Sequence, residues 1–429
     1  MVRHLHVVGL DEANLALLHR LPGADGLRFH AALEFEELRG VAHFPFERLL
    51  ETATARLDAA GVPIDGVCTF LDFPATELVP LLAAHAGVPG PRLEAVLACG
   101  HKYWSRRVQA RVAPEAVPRV ALFDPFEPTS IAALDLPYPF WCKPLNAFRS
   151  HLGFHIAGPD DLELAVAELR AHLPRLARPL QQVLAHADLP DEIARLPEHA
   201  VLAEGLLTGR LCTVEGYVVD GRPHAYAVVD SVREEGSSSF SRYQYPSALP
   251  HEMQAAACAL AERVVAATGL DDSTFNVEVF VDTERGHLGV LEINSRLSQS
   301  HAPLFERVDG VSHLKLMVDL ALGEAPSLPR RQGADAVAAK CFVRAHRDGV
   351  VTAVPGPAAL TELERRVPGA VAHVLVEPGT RLSLLEDQDA YSYELAEVYL
   401  GATDQPQLLE RWEEVQRLLR FELAPAPSA

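Results

Sequence analysis

Apolar positions recur along this chain in two rhythms, every second residue in some stretches and every third or fourth in others. Residues 2–9 read as an apolar strand, 11–20 carry apolar residues at helical spacing, and 46–60 do so again. A second buried strand is expected at Val67–Leu71, then a helix over Glu77–Ala86 that Gly87 and Pro89 stop. This β/α alternation implies a parallel sheet through about residue 100. Beyond it, strand-like stretches at Phe140–Lys143, Val201–Glu204, Cys212–Val219 and Ala225–Val229 lie between helical ones, an α+β pattern. Asp220-Gly221 signals a hairpin. A second hairpin follows: Asn276–Val281 alternates, Thr283–Gly286 turns and Leu288–Asn294 runs back. A Pro- and Arg-rich joint at Pro326–Gly333 opens a last part, with strands near Ala338–Arg344 and His373–Val376 and helices at Ala358–Arg366 and Gln407–Leu419. The tail from Ala424 is expected to be disordered.

At 429 residues the chain is too long for one ordinary core. The pattern divides it into a parallel α/β domain at 1–100, an α+β domain at 101–328 and a small α+β domain at 334–423. With 48% hydrophobic and 22% charged residues, the composition is that of a globular protein. The formal net charge of −20 opposes nucleic acid and anionic membrane as partners, so a phosphate-bearing ligand must meet a local positive pocket. No window reaches the roughly 20 apolar residues that span a bilayer, and the N-terminus lacks a signal-peptide pattern. Six scattered cysteines without metal spacing read as buried apolar residues in a reducing compartment, so a cytoplasmic location is expected.

The basic residues are uneven. Of 38, only Lys102, Lys143, Lys315 and Lys340 are lysines, which in an arginine-using chain marks places where a compact ammonium on a flexible stem is wanted. Lys143 ends an apolar strand and is followed by a loop, Leu145–Phe154, containing Ser150 and Gly153. A strand-borne ammonium with backbone amides in the next turn makes a cradle for nucleotide phosphates.

The sharpest signal is the run from Glu292 to Arg296 on the returning strand. Period-two alternation puts Glu292, Asn294 and Arg296 on one face, with Leu291 and Ile293 toward the core. Asn276 and Glu278 alternate likewise on the outgoing strand. A turn centred near Arg285 sets Glu278 opposite Glu292, an arrangement that destabilises a sheet unless a hard divalent cation neutralises it.

The order Lys102, Arg106, Lys143-Pro144, Ala203–Leu207, Thr213–Tyr217, Phe275–Glu278, Glu292, Asn294 and Arg296 resembles the ATP-grasp superfamily from end to end. Within it, the likeness is greatest to the L-amino acid and dipeptide ligases, which join a carboxylate to an amine. The last part resembles the C-terminal domain of biotin-carboxylase-like members. The resemblance implies a three-unit architecture: an N-terminal parallel α/β domain, a two-lobed ATP-grasp domain and a small C-terminal α+β domain. It implies ATP held by Lys102 and Lys143, with Ser150 and Gly153 in the phosphate loop, Glu204 to Leu207 meeting adenine, and Glu215 near the nucleotide. Glu278, Glu292 and Asn294 would hold Mg2+, two ions being expected and Mn2+ an alternative. Arg296 would stabilise the acyl phosphate and the tetrahedral intermediate. The 146–151 run departs from the family's glycine- and serine-rich loop and brings Arg149 and His151 there instead.

Ser298, Ser300 and His301 either bind the substrate, with His301 accepting a proton from the amine, or cap the following helix. Residues 234–243 are expected to form a lid that keeps water from the acyl phosphate, with Tyr243 among the substrate contacts. The expected partners are small carboxylate and amine substrates and, through the first domain, a second copy in a homodimer. The alternatives are a bicarbonate-activating enzyme of the biotin carboxylase kind and a non-catalytic nucleotide-binding relative.

Overall fold

A computed structural model describes residues 2–39, 45–146, 152–234, 239–385 and 392–425. The chain opens with β1 (Arg3–Leu10), α1 (Glu12–His19), β2 (Leu27–Glu34), α2 (Phe46–Asp58), β3 (Gly66–Cys68), α3 (Ala75–Ala86), α4 (Leu93–Gly100) and α5 (Lys102–Val112). Then come β4 (Val120–Phe123), α6 (Pro128–Ala132), β5 (Phe140–Pro144), β6 (Phe154–Ile156), α7 (Pro159–Leu184), α8 (Asp191–Ala194) and β7 (Val201–Gly205). These lead into β8 (Arg210–Val219), β9 (Arg222–Arg233), β10 (Phe240–Tyr245), α9 (His251–Ala266), β11 (Ser273–Asp282), β12 (His287–Asn294), α10 (Ala302–Asp309) and α11 (Leu314–Ala321). The last are β13 (Val337–Ala345), β14 (Gly349–Ala353), α12 (Pro357–Arg366), β15 (Val371–Val374), β16 (Tyr393–Ala402), α13 (Gln405–Leu418) and β17 (Glu422–Pro425).

Two compact units result. The first comprises Met1–Ala227, Pro250–Gln299 and Leu314–Ser327, and the second Val228–Leu249, Ser300–His313 and Leu328–Ala429. In the first unit, β2-β1-β3 form a parallel sheet. Val8, Leu33, Phe46, Leu78 and Leu82 bury its apolar surface against α2 and α3. A four-stranded antiparallel sheet, β4-β7-β5-β6, packs Phe140, Cys142 and Val201 on the apolar stripe Ala165, Val166, Leu169 and Leu173 of α7. A further antiparallel ladder, β12-β11-β8, carries most of the chemistry-bearing residues. In the second unit, β10 lies between the end of β9 and β13, with β16 and β15 beyond. Trp412 and Val415 of α13 pack on Ala339, Cys341 and Val398 there.

The structure departs from several of the sequence expectations. Strand β2 was not anticipated, because Leu27–Glu34 mixes polar and apolar residues without clean alternation. Strand β3 stops at Cys68 rather than Leu71: Thr69 donates its hydroxyl to the Val8 carbonyl and accepts the Leu71 N–H at 3.1 Å, which turns the chain out of the sheet. Of the stretch expected to be a lid, Phe240–Tyr243 belongs to strand β10 and is hydrogen-bonded on both sides, while 235–238 lie outside the described residues. The tail from Ala424 begins inside β17, where Ala424 and Pro425 pair with Val350 and Gly349 of β14.

Two local features fix the β12-β11-β8 ladder. Gly216 of β8 faces Phe275 of β11, whose ring lies where a side chain at 216 would be: a Cβ there would stand 2.0 Å from the ring. Strand β12 carries a bulge at Leu291, since Glu278 pairs with Glu292 while Val279 pairs with Val290. The carbonyls of Val290 and Leu291 at the bulge accept hydrogen bonds from Arg106 of α5 at 2.7 and 2.8 Å. Leu291 is therefore half-buried rather than in the core, and the alternation restarts at Glu292. We expect Gly216→Ala to displace the Phe275 ring and cost about 1–3 kcal/mol, read as a lowered thermal unfolding midpoint.

Candidate active site

The β12-β11-β8 ladder sets polar residues in two cross-strand rows. One row is Thr213, Glu278 and Glu292; the next is Glu215, Asn276 and Asn294. The period-two pleat puts both rows on the same face, while Val277, Ile293 and Val214 point into the core. Glu278 and Glu292 are direct cross-strand partners, as the hairpin symmetry about Arg285 required.

Their charges are managed unequally. Burial, then the neighbouring Glu292, pushes the Glu278 carboxyl well above the usual carboxylate range. Burial also raises Glu292, but Lys102 and Lys143 outweigh it and hold that carboxyl ionised. Lys102 Nζ lies 3.2 Å from Glu292 Oε2. It stands in the first turn of α5, where His101 caps the helix by accepting the Trp104 N–H at 3.2 Å. Opposed across the ladder, the two carboxyls are thus driven apart in acidity, Glu278 toward its neutral form and Glu292 toward its charged one.

Lys143, at the end of β5, is 8% exposed and pairs with Glu204 of β7 at 2.6 Å. Burial lowers its pKa despite that carboxylate. Arg106 completes the group. Its Nε donates to Glu204 Oε2 at 2.8 Å, one terminal nitrogen donates to Gln109 and Val290, and the other to Leu291, so every face of this 3% exposed guanidinium is used. Arg106 is a structural clamp between the β7 end and the β12 bulge. The sequence pattern placed it in order along the chain without showing that role.

Asn294 donates Nδ2 to Asn276 Oδ1 at 2.9 Å, which leaves its own Oδ1 as the acceptor available to a ligand. Asn276 in turn donates to the Arg296 carbonyl at 3.3 Å. Arg296, 14% exposed, makes a two-pronged contact with Asp72 in the loop after β3, Nε to Oδ1 at 2.7 Å and Nη2 to Oδ2 at 2.8 Å. Asp72 was missed in the sequence, where it falls at the edge of an expected strand with nothing to set it apart.

The remaining candidates fall as follows. Glu215 is fully buried in the second row, where its Oε1 accepts the Ser298 N–H at 3.3 Å. Leu207 follows β7 and fills the space over Gly289, where a Cβ would stand 2.6 Å from its Cδ2. Gly153 immediately precedes β6, and Ser150, with Arg149 and His151, lies outside the described residues. Ser300, His301 and Tyr243 belong to the second unit. There Lys340 Nζ donates to Ser300 Oγ at 3.2 Å and pairs with Glu397 at 2.6 Å, and Tyr243 meets the His301 ring edge-on at 5.2 Å.

Two opposed carboxylates and one amide oxygen suit Mg2+, which takes one or two carboxylates and completes its shell with water and phosphate oxygens. Among the described residues no three His, Cys, Asp or Glu side chains form a cage sufficient by itself, so a metal here would depend on ligand oxygens. The buried Glu278 carboxyl, which no cation of the protein contacts directly among the described residues, is the group whose ionisation such an ion would favour.

Residues 136–303 match the family model of the ATP-grasp domain. No curated protein matches the sequence significantly. Among solved structures, the L-amino acid ligase from Bacillus licheniformis superposes with a TM-score of 0.74 at 16% identity, covering 98% of this chain and 99% of that one. The phosphoribosylglycinamide synthetase from Anaerococcus prevotii gives 0.62 at 12% identity, covering 99% and 100%. A biotin carboxylase–ATP-analogue complex from Campylobacter jejuni gives 0.61 at 13%, covering 99% and 93%. At these identities the likeness establishes the fold, which is α/β and α+β of the ATP-grasp kind along the whole chain.

The raised pKa of Glu278 makes metal binding pH-dependent. We expect Mg2+ binding with nucleotide at neutral pH to release protons, since Glu278 must ionise to act as a ligand. Affinity then rises with pH until Glu278 is ionised without the metal, and levels off above. Calorimetry in two buffers of different ionisation enthalpy measures the release, which should be absent in Glu278→Gln.

Proposed function

Because the chain carries an ATP-grasp domain over residues 136–303, we propose that it is an ATP- and Mg2+-dependent ligase that activates a carboxylate as an acyl phosphate and couples it to an amine. ADP and phosphate are the other products. The observation that carries this reading is the convergence, within one unit, of the Glu278, Glu292 and Asn294 donor set with the cations Lys102 and Lys143 and the guanidinium of Arg296. The likeness to an L-amino acid ligase along nearly the full length of both chains supports amino acids as the substrates on both sides. We assign 1–100, 101–328 and 334–423 as the domains of this ligase.

Lys102 and Lys143 would exchange their present carboxylate partners for the β- and γ-phosphates of ATP, and Glu204 to Leu207 would line the adenine. Glu278, Glu292 and Asn294 would hold Mg2+, which supplies neutralisation of the charge on the transferring phosphoryl group. Glu215 lies in the row beside those ligands, which favours a role in setting their field over direct contact with the nucleotide base. Arg296, held rigid through Nε and Nη2 by Asp72, would offer its remaining N–H groups to the phosphorylated carboxyl group and to the oxyanion that forms when the amine adds to the carbonyl carbon. The amine's lone pair makes the C–N bond, the C–O bond to phosphate breaks with its electrons leaving on phosphate, and the nitrogen loses its surplus proton. Ser298 is proposed to help select the substrates.

The solved biotin carboxylase sustains a second reading, activation of bicarbonate. One assay separates the two: phosphate release from ATP and Mg2+ with single and paired amino acids or with bicarbonate. We expect release to require an amino acid pair. Bicarbonate alone sufficing would transfer the chain to the second reading. Arg296→Lys keeps the charge but loses the fork, and should lower the ligation rate by about 10²–10³-fold with the nucleotide affinity little changed.

A further inference from the structure

The loop after β3 holds a carboxylate that the proposed chemistry has not yet used. Asp72 stands where the parallel strands of the first unit end at their carboxyl side, the place where open α/β sheets receive ligands. The neighbouring strand β1 ends in the same way. Asp11 caps α1 there and fixes Asn14, whose Oδ1 accepts a hydrogen bond from Gln299 Nε2 at 2.9 Å. The segment Arg296–Gln299 is therefore tied to the ends of both strands, through Arg296 to Asp72 and through Gln299 to Asn14. Any group bound by Arg296 lies beside Asp72.

An ionised carboxylate has about four acceptor sites, and Arg296 occupies one on each oxygen of Asp72. The side chain is 42% exposed, so its remaining acceptors are open to a ligand, whereas Arg296 behind it is 14% exposed. A carboxylate in this position repels a phosphate or carboxylate and attracts a cation. The ligase reaction supplies one: an amino acid enters as the amine substrate in its ammonium form, and its nitrogen must arrive next to the acyl group that Arg296 holds. We propose that Asp72 is the anchor for the ammonium group of the amine substrate. This rests on the ligase reading and assigns the amine side of that site.

Asp72 holds the ammonium nitrogen beside the acyl carbon, and its bond to Arg296 sets the distance between amine and acyl group. The proton that must leave before attack goes to solvent. The anchor works by charge, so it discriminates between nucleophiles by their charge. Hydroxylamine is largely uncharged at neutral pH and captures acyl phosphates as hydroxamates without needing an ammonium site.

The test compares two rates in one enzyme preparation supplied with ATP, Mg2+ and a mixture of the protein amino acids. One is phosphate release with the mixture alone, in which the amine is an ammonium, and the other is hydroxamate formation on adding hydroxylamine. Taking their ratio cancels any loss of folded enzyme. Loss of a charge-assisted hydrogen bond predicts that Asp72→Asn lowers the ratio by about tenfold or more, and that Asp72→Glu recovers part of it. If both rates fall together in Asp72→Asn, or neither falls, Asp72 only positions Arg296 and the anchor is wrong. If the wild-type enzyme makes no hydroxamate and releases no phosphate with any amino acid, the ligase reading itself fails and takes the anchor with it.

Discussion

Two carboxylates facing each other across one β-ladder are a liability that a sheet does not carry without compensation. Glu278 and Glu292 do so here, and the charges around them are disposed about that conflict. Lys102 leans on Glu292, Lys143 adds its field from the end of β5, and burial pushes Glu278 toward its neutral form. Each lysine is itself matched by an acid, Lys102 by Glu292 and Lys143 by Glu204, so positive groups are present in a strongly acidic protein without being left bare in a low-dielectric site. On the proposed ligase reading, a cation that brings its own phosphate oxygens would relieve the clash by replacing the lysine contact.

Precision at this place comes from elements far apart in sequence. The β11–β12 hairpin sets the opposed pair, but the β12 bulge determines where its second half begins, and Arg106 determines the bulge by saturating its carbonyls. The same guanidinium grips Glu204, so the β7 end and β12 share one rigid support. The N-terminal parallel sheet contributes through its loops, with Asp72 on Arg296 and Asn14 on Gln299. A long-range ladder of this kind accounts for Gly216: it is small because Phe275 needs its space, and Glu215 next to it keeps its place in the polar row.

Much of this was legible in the sequence where chemistry and period coincide. The pairing of Glu278 with Glu292 could be drawn from alternation and a turn near Arg285 and is the one observed, although between the bulge and the turn the register is shifted by one residue. Strand-ending Lys143 and helix-starting Lys102 were visible through the scarcity of lysine. Features that depend on a partner remote in the chain were not visible. Asp72 has no pattern of its own and gains meaning only from Arg296, 224 residues away. The bulge at Leu291 was hidden for the same reason, since its cause is the side chain of Arg106. Strand β2 escaped because its neighbour β1, not its own alternation, makes it a strand. The stretch 234–243 looked like a loop from its serines and glycine, yet from Phe240 onward it pairs with β9, and from Arg242 onward with β13 as well.

The bond between Lys102 and Glu292 has a consequence for the order of events. Each partner is proposed to serve a different ligand, the lysine a phosphate and the glutamate a metal ion, and each is engaged by the other until both arrive. A nucleotide without its metal would draw Lys102 away and leave Glu292 facing Glu278 with less compensation. A metal without its nucleotide would take Glu292 and leave an ammonium beside a dication. Arriving as one complex, the two ligands would exchange a single internal contact for two external ones, and a site with these proposed roles would act as a coincidence detector that resists either half of its ligand alone.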